Sequence, residues 1–477
     1  MFLGREKEIE NLNSELLSQK KSVCLVYGKR RIGKSSLINE VAKTFDGVVI
    51  NHLCIKSSYE GNLSLLCRSV ALALNLPVST NFATIFDLFD FLNSQNKKIL
   101  VILDEYQYFK ESKKENEVDS ILQNIVDRMN DKIKLILCGS YISVMKELIK
   151  ESNPLFGRFT KILHIEEFDY YDAAKFFPQL SVKDKIAFYS VFGGSPYVLS
   201  NLDYSKSLEE NIIDLVINQN SLLRSYIENI MLKEVQKVFD VRILEILGNE
   251  KKRYSEIVNF LGGNDSGLLD KQLKNLISME TIEKIFPINK KNDKKKQFYV
   301  IKDNLMRFYF TFIFANDSLI SKFGEKSFFE LYISKSLKTF ISLRFEGIVN
   351  QYFIRQAHKG FLTDVLDFGC FWYDNATIGK NVQFDVVLKT LEGYNFYEVK
   401  FFENPMTLPE CENEENQIKE MKEISCNKIG FVCSSGFDFS SDKYDLITGE
   451  DLFKKKKNHF DDSHPFFPYF LLVGQGV

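Results

Sequence analysis

Nine residues near the N-terminus, "GKRRIGKSS", carry the most specific chemistry in this 477-residue chain. Gly28, Gly33, Lys34 and Ser35 fit the spacing G-x-x-x-x-G-K-[ST], between an apolar strand pattern and a helical one. The glycines let the loop curl, so that amide N–H groups along Lys29, Arg30, Arg31, Ile32 and Ser36 and the start of the next helix face bound phosphates. Lys34 can reach the β/γ oxygens and the Ser35 hydroxyl can ligate Mg²⁺. Further on, "ILVILDEYQ" delivers Asp104 to the C-terminal edge of a buried strand, where it can hold the Mg²⁺ shell. Glu105 follows and can orient or deprotonate an attacking water.

A second constellation lies in "FDVVLKTLEGYNFYEVKF", residues 384–401. Alternation places Glu398 and Lys400 on one strand face, and an even loop at "TLEGYN" brings Asp385 to the same side. Like charges so placed repel unless something compensates them. A divalent cation held by the two carboxylates would do so, with Lys400 positioning water or steadying developing charge. The plain alternative is a Glu398–Lys400 salt link on an exposed strand. None of the five histidines (52, 164, 358, 459, 464) stands at a metal-ligand spacing with another site residue, so zinc is not expected.

The elements that must position these groups follow from periodicity. "SVCLVYG", "VVINHLCI", "KKILVILDE" and "KIKLILCGS" alternate with helical patterns, the mark of a parallel sheet with crossover helices. Residues 171–235 read as helices interrupted by "VFGGSPYVL". Residues 236–305 read as three helices and a two-stranded element, an order resembling a winged helix-turn-helix. Lys290, Lys291, Lys294, Lys295 and Lys296 fall on its wing, and its candidate recognition helix, the third of the three, offers Lys271, Gln272, Lys274 and Asn275. The lysines predict salt-dependent, sequence-indifferent phosphate contact; a solvated hairpin is the alternative. A helical connector spans 306–335. The last block, 336–455, reads as long helix, three strands, helix and strand, with a tail at 456–477.

Composition bounds these readings. With 45% hydrophobic and 26% charged residues the chain is globular, and its length implies several domains. A net charge of -2 predicts no global attraction to nucleic acid or membrane, so any such contact is local. Eight scattered cysteines without CxxC pairs and a charged start predict a cytoplasmic protein with reduced thiols. No uncharged apolar run reaches the 18 residues a membrane span needs.

"FLGREKEIENL", "YGKRRIGKSSL", "LDEYQYF", "CGSYISVM", "NPLFGRF" and "FGGSPYVL", in this order over residues 1–230, resemble the AAA-like archaeal-type ATPases of the STAND class, found in archaea and bacteria. The resemblance implies that Ser140 is a sensor beside the γ-phosphate and that Arg158 offers charge to the nucleotide, in cis or across subunits. A surface ion pair is the alternative for Arg158. Gly193, Gly194 and Pro196 resemble a lid motif; an ordinary interhelical turn is the alternative. The D-x₁₂-E-x-K spacing at Asp385, Glu398 and Lys400, with Glu346 on the preceding helix, resembles the restriction-endonuclease-like PD-(D/E)xK superfamily. Phe384 stands where that motif has proline. The block is similar to an uncharacterised nuclease-like domain joined to such ATPases, which implies Glu346, Asp385 and Glu398 as metal ligands; Gln417 on the next helix is left without a role.

The expected protein is therefore multidomain α/β: a P-loop NTPase core with parallel sheet (1–170), helical lid (171–235), winged helix-turn-helix (236–305), connector (306–335) and C-terminal α/β nuclease-like domain (336–455). ATP and Mg²⁺ are the expected cofactors, with Mn²⁺ as an alternative at the nuclease-like site. DNA is the expected macromolecular partner, no membrane is expected, and ATP binding would drive homo-oligomerisation. The leading function is an ATPase switch controlling a nuclease-like domain. The alternative is a STAND-type signalling ATPase whose C-terminal domain binds DNA or protein without cutting.

Overall fold

A strand with a helix on each face must be buried and largely apolar, and three segments meet that demand. In the computed structural model, which describes residues 2–112, 116–231, 240–263, 267–291, 293–375, 380–421 and 424–455, β1 (Ser22–Tyr27) and β4 (Ile133–Gly139) are buried throughout. β3 (Ile99–Asp104) is buried up to its last residue, Asp104. With β2 (Val48–Leu53) and β5 (Lys161–His164) they form a parallel sheet of order β2-β3-β4-β1-β5. Alternation divides the core: Val23, Leu25, Val101, Leu103, Leu135 and Leu137 pack on one side, Cys24, Val26, Leu100, Ile102, Ile136 and Cys138 on the other.

The chain divides into two compact units, residues 1–344 and 345–477. Beyond the sheet, the first unit continues with helices Val182–Phe192 and Pro196–Leu199 around the glycine turn. Three helices follow, Arg242–Asn249, Tyr254–Phe260 and Leu268–Ser278, then an antiparallel ribbon of β6 (Ile282–Ile285) and β7 (Phe298–Ile301).

A polar cluster fixes the chain where it leaves β3. Asp119 is fully buried on the helix Glu117–Arg128 and pairs with the Lys110 ammonium, itself 8% exposed. The Tyr106 hydroxyl donates to the same carboxylate at 2.7 Å and Asn153 Nδ2 at 2.8 Å, so the buried charge is both paired and hydrogen-bonded.

The second unit holds a mixed sheet, β12-β11-β10-β9-β8. Its strands are β8 (Val365–Asn375), β9 (Lys380–Thr390), β10 (Tyr394–Lys400), β11 (Cys426–Cys433) and β12 (Asp445–Thr448). The hairpins β8–β9–β10 are antiparallel; β10, β11 and β12 run parallel, with the helix Leu408–Lys419 between β10 and β11 in the chain. The unit boundary falls within the 25-residue helix Ser334–His358. All eight cysteines are free, and seven are buried. Among the described residues no helix is long and apolar enough to cross a membrane. The C-terminal tail reading, 456–477, lies outside the described residues.

Candidate functional site

The phosphate loop leaves β1 and turns into the helix Lys34–Ala42 through Gly33, whose φ of 91° is left-handed backbone that glycine adopts without strain. Lys34 is 5% exposed; its ammonium donates to the carbonyls of Gly28 at 2.9 Å and Lys29 at 2.8 Å. The loop thus holds its own lysine where phosphate oxygens would take over those bonds. Ser35 Oγ donates to Asp104 Oδ2 at 2.6 Å. A hydroxyl and a carboxylate in contact, at a helix start beside a strand end, are donors that fit Mg²⁺. Ser36 is exposed on the same helix, and buried Ile32 anchors the loop in the core.

Glu105 has φ of 53°, left-handed for a residue with a side chain, so its backbone is strained as functional positions often are. Its N–H donates to Asp104 Oδ1 at 2.9 Å, and the following Tyr106 N–H to the Cys138 carbonyl at 2.8 Å. Ser140 Oγ donates to Glu105 Oε2 at 2.7 Å, and fully buried Gln107 bonds both Glu105 and Ser140. Sequence reasoning misses Gln107, although it stands two positions after the acidic residue in "DEYQ". It misses Arg5 too. Arg5 is 7% exposed, donates to the Ile32 and Glu166 carbonyls and lies 4.3 Å over the Phe168 ring, tying the N-terminal motif to the loop.

Three loop cations have defined neighbours. Arg30 donates to the hydroxyls of Tyr108 at 2.8 Å and Tyr141 at 3.2 Å. Arg31 stacks 3.9 Å over Tyr197. Lys29 lies 3.7 Å from Glu167 and 3.9 Å from Asp303. The glycine turn approaches the loop, since a Cβ on Gly33 would lie 3.7 Å from Pro196 Cγ. At Gly194 any side chain would meet the Phe168 carbonyl at 1.9 Å, so the turn's composition follows from close backbone packing. Arg158 lies elsewhere: Nε and Nη2 each donate to Asp127 at 3.0 Å, and Nη1 to the Pro154 carbonyl at 3.0 Å. Its geometry here is the ion-pair alternative.

In the second unit the β9–β10 register runs from Tyr394 opposite Lys389 to Tyr397 opposite Val386, with Thr390 bonded to Gly393 across a two-residue turn. Continued one step past its last pair, the same register sets Glu398 opposite Asp385, whose charge acts on the Glu398 carboxyl. The face-sharing expected from the even loop follows from this register. The compensator differs from the expected one, because Lys400 Nζ lies 2.8 Å from Glu398 and 3.1 Å from Glu414 on the helix Leu408–Lys419. Burial raises the Glu398 carboxyl above its ordinary value, against the pull of Lys400. Burial opposes the Lys400 charge, yet Glu398 and Glu414 outweigh it and raise its pKa. Asp385 accepts from Gln383, and Asn350 Nδ2 bonds the carbonyls of Asp385 at 3.3 Å and Glu346 at 3.2 Å.

Glu346, Asp385 and Glu398 do not converge as a metal-ready trio. Among the described residues the group of three that does lie within 4.8 Å is His164, Glu166 and Glu280. Lys302 sits 2.8 Å from Glu166 and Lys146 2.9 Å from Glu280, so that cluster is already charge-matched. In the second unit the Lys400 ammonium supplies the positive charge beside Glu398 and Glu414. Gln417 donates to Glu414 at 2.9 Å, one contact from Lys400.

Residues 2–202 match a family described as an ATPase domain predominantly from Archaea, and residues 309–422 one described as archaeal and bacterial proteins of unknown function. An uncharacterised protein of Methanocaldococcus jannaschii is 30% identical over 361 residues, spanning 74% of this chain and 77% of that protein. The chain belongs to this archaeal-type ATPase family. An uncharacterised ATP-binding protein of the same organism is 24% identical over 282 residues, 47% of this chain and 76% of that one. Two solved structures align with parts of this archaeal-type ATPase. The Walker-type ATPase of Pyrococcus abyssi has a TM-score of 0.45 at 18% identity, over 65% of this chain and 96% of that one. The Aeropyrum pernix ORC2 protein, solved as ADPNP-ADP complexes, has a TM-score of 0.44 at 14% identity, over 67% and 94%.

In this archaeal-type ATPase the junction of Lys29, Glu167 and Asp303 gives a pH-dependent expectation. Burial, then the adjacent Asp303 carboxylate, push the Glu167 carboxyl up from 4.5 to about 8, with Lys29 opposing them. The folded state therefore binds the proton more tightly than the unfolded chain. The resulting stability is complete below the unfolded value of 4.5 and is lost as pH rises through about 8. Thermal unfolding of the nucleotide-free protein should show that decline, and Glu167→Gln should flatten it. An unchanged pH profile in the variant would remove Glu167 as its source.

Proposed function

We propose that this ATPase is a Mg²⁺-dependent nucleotide switch that controls a C-terminal nuclease-like domain acting on DNA. The observation that carries the switch is the junction at the phosphate loop. Lys29, a residue of the loop itself, reaches both Glu167 after β5 and Asp303, which caps the helix Asn304–Phe308 directly after β7. A phosphate that draws Lys29 away leaves buried Asp303 and half-buried Glu167 without the cation that offsets them, a state that favours rearrangement of the module carrying Asp303. Ser35 and Asp104 would hold the Mg²⁺, Lys34 would neutralise β/γ-phosphate charge, and Glu105, oriented by Ser140 and Gln107, would position water. Bound Mg²⁺ supplies charge neutralisation of the phosphates.

For the second unit the proposal rests on Asp385 and Glu398 standing across a strand pair with Lys400 two residues on. The three helices and ribbon at 242–301, read as a winged helix-turn-helix, would contribute DNA contact through the lysines between β6 and β7. Replacing Lys290, Lys291, Lys294, Lys295 and Lys296 with glutamine should weaken DNA binding across sequences. It should also flatten the logarithmic salt dependence by about one unit for each phosphate that the lysines had neutralised. Fluorescence anisotropy across a salt series checks this; unchanged affinity and slope would make the ribbon a solvated hairpin.

A second reading has its own observation. Lys400 already bridges Glu398 and Glu414, and a carboxylate pair neutralised in this way suits a contact surface that does not cut. The two readings separate when purified protein is incubated with plasmid and linear DNA, with Mg²⁺ or Mn²⁺ and with or without ATP. Cleavage that disappears in Asp385→Ala and Lys400→Ala supports the nuclease. Binding without cleavage under every condition supports the STAND-type regulatory ATPase. Cytoplasmic residence and nucleotide-driven self-association belong to either reading.

A further inference from the structure

On the face of the second unit's sheet opposite Glu398 and Lys400 lies a cavity of about 510 Å³. The alternation of β10 places it there, since Asn395 and Tyr397 line the cavity while Phe396 and Glu398 point the other way. It is therefore separate from the acidic pair of Asp385 and Glu398. Its aromatic wall comes from Tyr352 and Phe353 on the long helix and from Tyr397, with the Phe353 and Tyr397 rings 4.5 Å apart.

Gln356, one turn beyond Tyr352, lines the same cavity and is only 6% exposed, yet its Oε1 is buried without a hydrogen-bond partner. A buried acceptor left unmatched in the wall of a cavity can turn to meet a ligand's donor. The surrounding charge says what kind of donor. Asp364, Glu392, Asp445 and Asp451 line the cavity against a single cation, Lys428. Asp451 is engaged by Thr448 and Lys454, and Asp445 Oδ2 accepts from the Tyr397 hydroxyl at 2.7 Å. Asp364 and Glu392 are exposed at the mouth. Aromatic faces, a buried acceptor and a negative rim together fit a cation bearing several N–H donors.

We propose that this cavity binds a guanidinium or primary-ammonium group, and that Gln356 Oε1 accepts one of its N–H bonds. The group could belong to a free amine or to an arginine side chain of a peptide, and the two sources share this chemistry.

The test is titration calorimetry of the full chain with agmatine, with an acetylated, amidated arginine dipeptide, and with citrulline amide, N-acetylated so that it carries no ammonium, as the uncharged isostere. Binding of agmatine or of the dipeptide, with citrulline amide at least about tenfold weaker, is the expected result; preference between the first two identifies the source. Gln356→Leu should cut the affinity by about tenfold while raising the melting temperature, because it removes an unmatched buried acceptor. If that variant does not fold, the exposed pair Asp364→Asn and Glu392→Gln, which leaves the floor intact, should weaken binding in a salt-dependent way. The proposal is overturned by no heat with either cation at millimolar concentration, by equal binding of citrulline amide, or by phosphate binding in their place. Undiminished affinity in the folded Gln356→Leu variant also overturns it.

Discussion

Lys34→Ala is expected to lose ATP turnover by at least roughly 10²–10³-fold, the scale on which one preorganised electrostatic contact acts. The ammonium is 5% exposed and held by the carbonyls of Gly28 and Lys29, so it needs little reorganisation to meet β- and γ-phosphates. Removing it deletes that charge while the buried strands β1, β3 and β4 keep their packing. Glu105→Gln should behave differently. Asp104, Ser35 and the loop remain, so ATP still binds, while turnover falls by about 10²–10⁴-fold with the loss of the group that orients or accepts a proton from water. Phosphate release and equilibrium nucleotide binding, measured on both variants beside circular dichroism, separate the roles. Near-normal turnover in Lys34→Ala would contradict the assignment of the loop.

Asp119→Ala is expected to cost the first unit about 3–5 kcal/mol, the range for breaking a buried pair from one side. It strands the Lys110 ammonium at 8% exposure and deprives Tyr106 and Asn153 of their acceptor. Asp119→Asn, which keeps an acceptor and loses the charge, should cost less. Tyr106 directly follows Glu105, so turnover should fall as the strand exit loosens, even below the unfolding temperature. Denaturant unfolding of the first unit checks the stability. A loss under about 1 kcal/mol, as for an exposed pair, would mean that this cluster does not hold the strand exit.

Physical reasons separate what could be read in the sequence from what could not. β1, β3 and β4 were legible because strands buried on both faces must be largely apolar. The phosphate loop was legible because its chemistry fixes both residue type and spacing. The facing of Asp385 and Glu398 followed from loop parity at Leu391 and Glu392. β5 was not legible: "KILH" is a short edge strand with partly exposed residues, and no apolar run distinguishes it from a loop. Asp119 left a usable signal, a carboxylate three and seven positions before Leu122 and Val126 on the apolar face of its helix. Its partners Lys110 and Asn153 are set by tertiary packing. The same holds for Lys400, whose second carboxylate, Glu414, comes from the following helix, and for Gln356, which reads as an ordinary residue in the last turn of a helix. Arg5, too, reads as a charge at a helix start, and only the fold brings the Ile32 and Glu166 carbonyls to it.

Nucleotide control of DNA engagement is tested most directly by the DNA affinity of Glu105→Gln protein in Mg²⁺ with saturating ATP and with ADP, beside Lys34→Ala under the same conditions. The slow variant holds ATP long enough for each state to be read at equilibrium. The predicted result is a different affinity in ATP and ADP, at least about fivefold as expected for a coupled site, with Lys34→Ala showing the same affinity in both. Equal DNA affinity in ATP and ADP for the Glu105→Gln protein, with nucleotide shown to be bound, would contradict the switch.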